Sequence, residues 1–387
     1  MRRREFARLA CGCMACALPG WSLAQNLAPK LSPGFRPAAE SDEKGLWELM
    51  SREEERLQGS RFVVRDPALN AYVKDVACRL AGDYCPDMRV YIVRAPYFNA
   101  FMAPNGMMQV WTGALMRLRN EAQLASVIGH EIGHYLRRHS VDRFRDAKDK
   151  TTIATVVGMG LNLARIGNVG TLTNLIMVAS VLSFGRDQER EADRIGLDLL
   201  AKRGYDPGEA ATVWTQLLAE RNARESDSGR DLIFASHPGE EEREETLREA
   251  AGSMPGVGDE SRRYRPRYEE ALRAHRARFF ADELRLRHYG PSLALFSGLL
   301  KQDPQDGEVA FYAGEVLRLR AGEGDHDKAL GFYQRAIDTG RAPPEVWRGV
   351  GLVCRERQDL DAARAAFARY LELRPDAEDA LIIRTYL

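Results

Sequence analysis

Two histidines four residues apart with a glutamate between them, His130-Glu131-Ile132-Gly133-His134, are where this chain most directly spells chemistry. On a helix, residues i and i+4 project from one face a turn apart, so both imidazoles can reach a single zinc ion. Glu131 falls at the rim of that face, where it can bond a water beside the metal and take its proton. A catalytic zinc usually takes three protein ligands and keeps one position open, so a third ligand must come from elsewhere in the chain. Glu189 and Asp193 are also i,i+4 and share a face of a strongly helical segment, Arg186 to Lys202; Glu191 points away and is expected to be a solvated surface charge. His139 lies about 140° around the helix from His134 and is expected at the surface. His275, His288 and His326 look incidental.

The elements that must position these groups follow from periodicity. Asn120 to Arg138 is a helix, with Leu124, Val127, Ile128 and Ile132 in one apolar stripe and Glu121 near its positive end. Upstream, a helix covers about Asp42 to Leu57, and a second starts at Asp66-Pro67 and runs to about Leu80. Arg89 to Arg94 alternates as a strand, and Asn105-Gly106 turns into a second strand, Met107 to Thr112. The strand just before the metal helix offers either a free edge for an extended peptide or an ordinary place in a small sheet.

The whole chain has 387 residues with 56 basic and 56 acidic side chains, enough length for two or three domains. Balanced charge, without a basic patch interleaved with aromatics, argues against nucleic acid as a partner. Arg2, Arg3, Arg4 and Arg8 precede the apolar run Leu9 to Leu18, and Ser22-Leu23-Ala24 completes an export signal with cleavage expected after Ala24. That signal would remove Cys11, Cys13 and Cys16 and send the rest to a bacterial periplasm. Cys78 and Cys85 then either close a small-loop disulfide or stay free, since spacing does not decide pairing. The apolar stretch 151–184 is broken by Asn162, Arg165 and Asn168, so it is expected as buried or membrane-surface helical pieces with peripheral membrane contact rather than a span.

Gly252, Pro255, Gly256 and Gly258 mark a linker, and beyond it a repeat emerges. Trp347, Gly351, Ala363, Phe367 and Pro375 fall at the spacing of a tetratricopeptide unit; Gly314, Ala329, Tyr333 and Ala336 form the copy before it. Ser292, Phe296 and Pro304 belong to a still earlier one. The division is therefore 1–24 signal peptide, 25–60 N-terminal extension, 61–250 catalytic domain, 251–262 linker and 263–387 repeats. The fold class is α+β and mainly α: a zincin-like metallopeptidase domain with a small sheet, followed by an α-helical solenoid.

HExxH followed by a helix carrying Glu189-Arg190-Glu191-Ala192-Asp193 resembles the zinc metallopeptidase family of HtpX and the CAAX prenyl proteases. The export signal and C-terminal repeats make the chain similar to that family's periplasmic BepA-like branch, the beta-barrel assembly-enhancing proteases. The resemblance runs from about Ala71 to the end. It implies one zinc ion held by His130, His134 and Glu189, with Asp193 orienting a ligand histidine. The strand region from Asn99 to Trp111 resembles the family's substrate edge. The family's His-Pro pair and following arginine match His237-Pro238 and Arg243. The resemblance implies that His237 either hydrogen-bonds an oxyanion or caps the metal as a brake. Arg243 is expected to hold this loop through a carboxylate. The implied activity is zinc-dependent endopeptidase of the cell envelope, degrading misfolded or misassembled outer-membrane proteins, with a chaperone or assembly role alongside. The repeats would dock on the assembly machinery. A chaperone-like docking module with a gated zinc site is the other reading.

Overall fold

The computed structural model describes residues 28–149, 184–224, 233 and 237–387. The expected export signal and nearly all of the apolar stretch, 151–183, lie outside the described residues. Two helices open the chain, α1 (Asp42–Gln58) and α2 (Pro67–Ala81), each capped by its preceding residue: Ser41 accepts from the Lys44 amide and Asp66 from the Leu69 amide. A short 3-10 turn, Gly82–Asp87, follows, with Cys78 and Cys85 joined as a disulfide across it.

The sheet has three strands, β1 (Arg89–Val93), β2 (Ala100–Met102) and β3 (Met107–Trp111), in the order β1-β3-β2. β1 runs parallel to β3, with Arg89 opposite Met107, whereas β2 pairs antiparallel to β3 through the Asn105-Gly106 turn. This decides between the two readings of the strand before the metal helix, in favour of an ordinary place in the sheet. The strand that leads into the metal helix is the central one, with both edges paired; the outer edge belongs to β2, a three-residue strand too short for sequence alternation to signal. Gly106 has φ 88°, and a Cβ there would lie 2.0 Å from the Asp87 carbonyl oxygen, so only glycine fits the turn.

β3 passes directly into α3 (Thr112–Arg117), and α4 (Glu121–Arg137) carries the HExxH motif. Asn120 caps α4 by accepting from the Gln123 amide at 2.9 Å. Arg138, in the left-handed region at φ 60°, ends α4 and turns the chain into α5 (His139–Asp149). Then come α6 (Arg186–Lys202), α7 (Glu209–Asn222) and α8 (Glu240–Gly252). One face of the sheet packs with α2, α4, α6 and α7 around Val76, Leu80, Ile92, Val110, Leu124 and Ile128. The other face is closed by α1, with Leu46, Met50 and Leu57 against Met107 and Trp111.

The C-terminal half is helical: α9 (Arg265–Leu272), α10 (Arg276–Leu286), α11 (Tyr289–Gln302), α12 (Gly307–Arg320), α13 (Asp325–Asp338), α14 (Glu345–Glu356), α15 (Leu360–Leu373) and α16 (Ala380–Arg384). Small-against-large contacts pair them: a Cβ at Gly314 would meet the Tyr333 ring at 2.5 Å, and one at Gly351 the Phe367 ring at 2.5 Å. These are repeat positions at which the backbone of one helix receives an aromatic ring from the next. Cys354 is buried and unpaired. Among the described residues, no helix is long and apolar enough to cross a membrane.

Candidate metal centre

α4 and α6 cross with almost no side chain between them. A Cβ at Gly129 would lie 3.4 Å from the Gly196 Cα, and one at Gly133 would lie 2.9 Å from the Ala192 carbonyl oxygen. The glycine inside the HExxH motif is thus a packing requirement: it lets a helix from far along the chain come close enough to add a carboxylate. The result is a cluster of His130, His134, Glu189 and His237, each offering one ligand atom, all within 4.8 Å of one another.

The distances are those of converging donors. The two Nε2 atoms of His130 and His134 are 3.0 Å apart, and Glu189 lies 3.4 Å from the first and 3.5 Å from the second. His237 Nδ1 stands 3.2 Å from His130 Nε2 and 3.1 Å from Glu189 Oε1. Its Nε2 faces Glu131 Oε1 at 3.7 Å. Glu131, His134, Glu189 and His237 are all buried.

Each histidine of the HExxH motif is held from behind. Asp193 Oδ1 lies 2.9 Å from His130 Nδ1, so the carboxylate accepts that N–H and leaves the Nε2 lone pair facing the cluster. On the other side His139 Nε2 meets Glu191 Oε2 at 2.7 Å, and its Nδ1 meets His134 Nδ1 at 2.9 Å. If Glu191 accepts from His139, then His139 accepts from His134, and the His134 Nε2 lone pair also points inward.

His139 and Glu191 are therefore not the surface groups that helical spacing predicts. His139 is 1% exposed, and Glu191 is also fixed by Arg137 at 2.9 Å. The reason is local: α4 stops at Arg137, and the left-handed Arg138 folds His139 back onto His134, so the angle around a continuous helix does not apply. No periodicity in the sequence announces that break. Phe184 stacks on the His134 ring at 3.7 Å between centroids, a further contact the spacing did not signal.

Arg243, on α8, ties the carboxylates together. It donates through Nε to Asp193 Oδ2 at 2.8 Å, places Nη1 2.7 Å from Glu189 Oε2, and lies 4.3 Å over the Trp214 ring. Burial raises the Asp193 carboxyl, yet Arg243 and His130 outweigh it and hold the group down at about 2. Burial and Arg243 push the His130 imidazole down, and the Asp193 and Glu189 carboxylates override them, lifting it to about 9. Burial, helped by the neighbouring His130, drives His134 well below its ordinary value, and burial raises Glu131 against the opposing pull of His237 and His130. The cluster thus presents inward lone pairs in a field that favours positive charge at its centre, which is the donor set a divalent cation needs; three nitrogens and a carboxylate suit zinc. Beside it lies an apolar cavity of about 50 Å³ reaching from Glu131 and His237 to Phe98, Val127, Trp214 and Leu217.

A buried HExxH helix joined by a glutamate from a second helix is the arrangement of a metallopeptidase. Residues 63–251 match Peptidase family M48, a family of zinc-dependent enzymes, and residues 279–344 and 318–378 match the tetratricopeptide repeat. Individual relatives agree. The chain is 34% identical to the mitochondrial metalloendopeptidase OMA1 of Schizosaccharomyces pombe over 42% of its own length and 47% of the relative's. It is 29% identical to the beta-barrel assembly-enhancing protease of Escherichia coli K12 over 51% of its length and 42% of the relative's. The putative beta-barrel assembly-enhancing protease of Vibrio cholerae matches at the same identity and coverage. The chain spans less than half the length of these relatives.

Proposed function

We propose that this chain is a zinc-dependent endopeptidase of the bacterial cell envelope that cuts unfolded or misassembled proteins, outer-membrane proteins among them. The observation that carries the reading is the buried convergence of His130, His134 and Glu189, with Glu131 beside them. In this reading residues 61–250 form the catalytic domain and 263–387 the repeats, which receive substrates or dock on the assembly machinery. The arginine-rich, apolar N-terminus supports export to the periplasm.

When bound, zinc supplies Lewis-acid polarisation of the scissile carbonyl and the attacking water. Glu131 takes the proton from that water and delivers it to the leaving amide nitrogen; burial, which raises its pKa, suits it to both steps. An extended substrate adds to the outer edge of β2, which no strand pairs among the described residues. Phe98 and Ala100, at this strand's approach, also line the apolar cavity that would take a neighbouring side chain. Glu131→Gln is the direct test: casein cleavage should fall by roughly 10²–10⁴-fold while one zinc per chain remains. A variant that still cuts would remove Glu131 from its role.

A second reading rests on His237. Its buried Nδ1 occupies the fourth corner of the donor cluster, where it can cap the metal and leave a docking module with a closed site. Casein cleavage that rises in His237→Ala identifies a gated enzyme. Loss of cleavage assigns His237 to the oxyanion, and inertness of both proteins favours the docking module.

A further inference from the structure

Between the catalytic half and the repeat helices lies a cavity of about 370 Å³, remote from the metal cluster. Leu115 and Leu118 line it from around α3, Leu272 from α9, Phe279 from α10 and Leu299 from α11. Its volume is in the range of specific ligand sites and would hold one or two apolar side chains.

Its charged lining is nearly all spoken for. Arg265 grips Glu269 at 2.6 Å, Arg276 pairs with Asp306, and Arg341 reaches Asp303 at 4.0 Å. Arg119 is different. Among the described residues it forms no ion pair, and its Nε, sealed from solvent, has no hydrogen-bond partner. The nearby acids cannot serve it: Glu209 accepts from Asn120 and Gln123 and pairs with Arg263, and Glu220 accepts from Arg117. Burial lowers the Arg119 pKa, the signature of a cation held out of water without its anion. The backbone makes room for it, since a Cβ at Gly298 would lie 2.5 Å from Arg119 Nη2.

A planar guanidinium prefers a carboxylate, gripped by two parallel N–H donors. Elsewhere this chain uses that grip repeatedly, in Arg94 on Asp282 and Arg318 on Glu315. An arginine without an ion pair, in the wall of a cavity that mixes apolar and charged side chains, calls for a carboxylate on an apolar body. The cavity lies where a repeat solenoid begins, and such solenoids bind extended peptides. We propose that this cavity binds the C-terminus of a polypeptide, with the terminal carboxylate on Arg119 and an apolar last residue among Leu115, Leu272 and Phe279. The proposal is independent of the peptidase reading and adds a second, non-cleaving contact for a protein substrate or partner.

The test uses full-length Glu131→Gln protein and fluorescence anisotropy of a fluorescein-labelled octapeptide ending in two apolar residues. The free acid should bind roughly tenfold or more tightly than the same peptide as its C-terminal amide, and Arg119→Gln should erase that preference. Equal binding of acid and amide, or a preference that survives in a folded Arg119→Gln protein, overturns the proposal. Should Arg119→Gln fail to fold, Arg119→Lys decides: a preference reduced several-fold supports the site, and an unchanged one overturns it. Sodium decanoate is the remaining arm. If it binds more tightly than the free-acid peptide and depends on Arg119, the ligand is a fatty acid and the peptide assignment falls.

Discussion

At the residue scale, the centre depends on groups that never touch substrate. His134 is oriented by His139, and His139 by Glu191, a chain of contacts at 2.9 and 2.7 Å. Removing such a supporting partner typically costs 10–100-fold in metal affinity. His139→Ala and Glu191→Gln are therefore each expected to lower zinc affinity about 10–100-fold, read by competition with a fluorescent chelator. Unchanged affinity in both would mean that the ring of His134 is fixed by its packing against Phe184 alone. What the sequence made legible here was the part that obeys helical arithmetic: His130 and His134 on one face, Glu189 and Asp193 on another. The placement of Glu189 and Arg243 came by resemblance, since no local rule connects segments fifty or more residues apart. His139 and Glu191 were hidden, because a single residue in a left-handed conformation, Arg138, reorients everything after it.

At the scale of elements, the close crossing of α4 and α6 decides whether the ligands meet. Gly133→Ala would set a methyl 2.9 Å from the Ala192 carbonyl, a backbone atom that moves only if the helix moves. Overpacking of this kind costs about 1–3 kcal/mol. The variant should lose several degrees in Tm and also bind zinc more weakly, because Glu189 is displaced from the two histidines. Gly331→Ala in α13, where a Cβ meets nothing within 4 Å, is the control expected to change neither. Elements were mostly legible: caps and apolar stripes located α1, α2, α4 and α6. The three-residue β2 was not, and without it the sheet order could not be deduced. A second element-scale prediction concerns pH. Asp325, at the start of α13, is held down at about 2 by Arg320, with the Gly322 amide donating to it at 2.9 Å. Its folded pKa lies below the unfolded one, so its contribution to stability is full above the ordinary aspartate range and is lost as pH falls toward 2. In Asp325→Asn the melting temperature should be lower at neutral pH, and the gap to wild type should close by about pH 2.

For the whole molecule, the question is what makes the catalytic half and the repeats act as one body. The join is not a simple apolar contact. Arg117, in the helix that follows the central strand, is buried and bonded to carboxylates of both halves: Glu220 of α7 at 2.7 Å and Glu283 of α10 at 3.0 Å. The same guanidinium donates to the carbonyls of Pro96 and Gly113, and Ser292 donates to Glu283 at 2.8 Å. Arg94, at the end of β1, grips Asp282 through two bonds of 2.6 and 2.7 Å. The two clamps fasten α10 to the end of β1 and to α3, the helix that continues the central strand β3. Such a pairing adds less stability than the Coulomb attraction implies, because burial strips both charges of water, but breaking it leaves one charge stranded at about 3–5 kcal/mol. Glu283→Ala strands Arg117 in this way, although Glu220 still shields part of its charge. The repeats should then come free of the catalytic half before either unfolds. Calorimetry should split one transition into two, and small-angle scattering should show a larger radius of gyration with zinc content unchanged. If Glu283→Ala melts in a single transition at the wild-type temperature, the clamp is dispensable and the apolar contacts of α10 hold the halves together unaided. If the clamp does hold, a substrate bound at the repeats enters the edge of β2 at a fixed distance from Glu131, so cleavage sites should cluster at a set spacing from the bound segment. In Glu283→Ala that spacing should blur, a change that mass spectrometry of casein fragments would read directly.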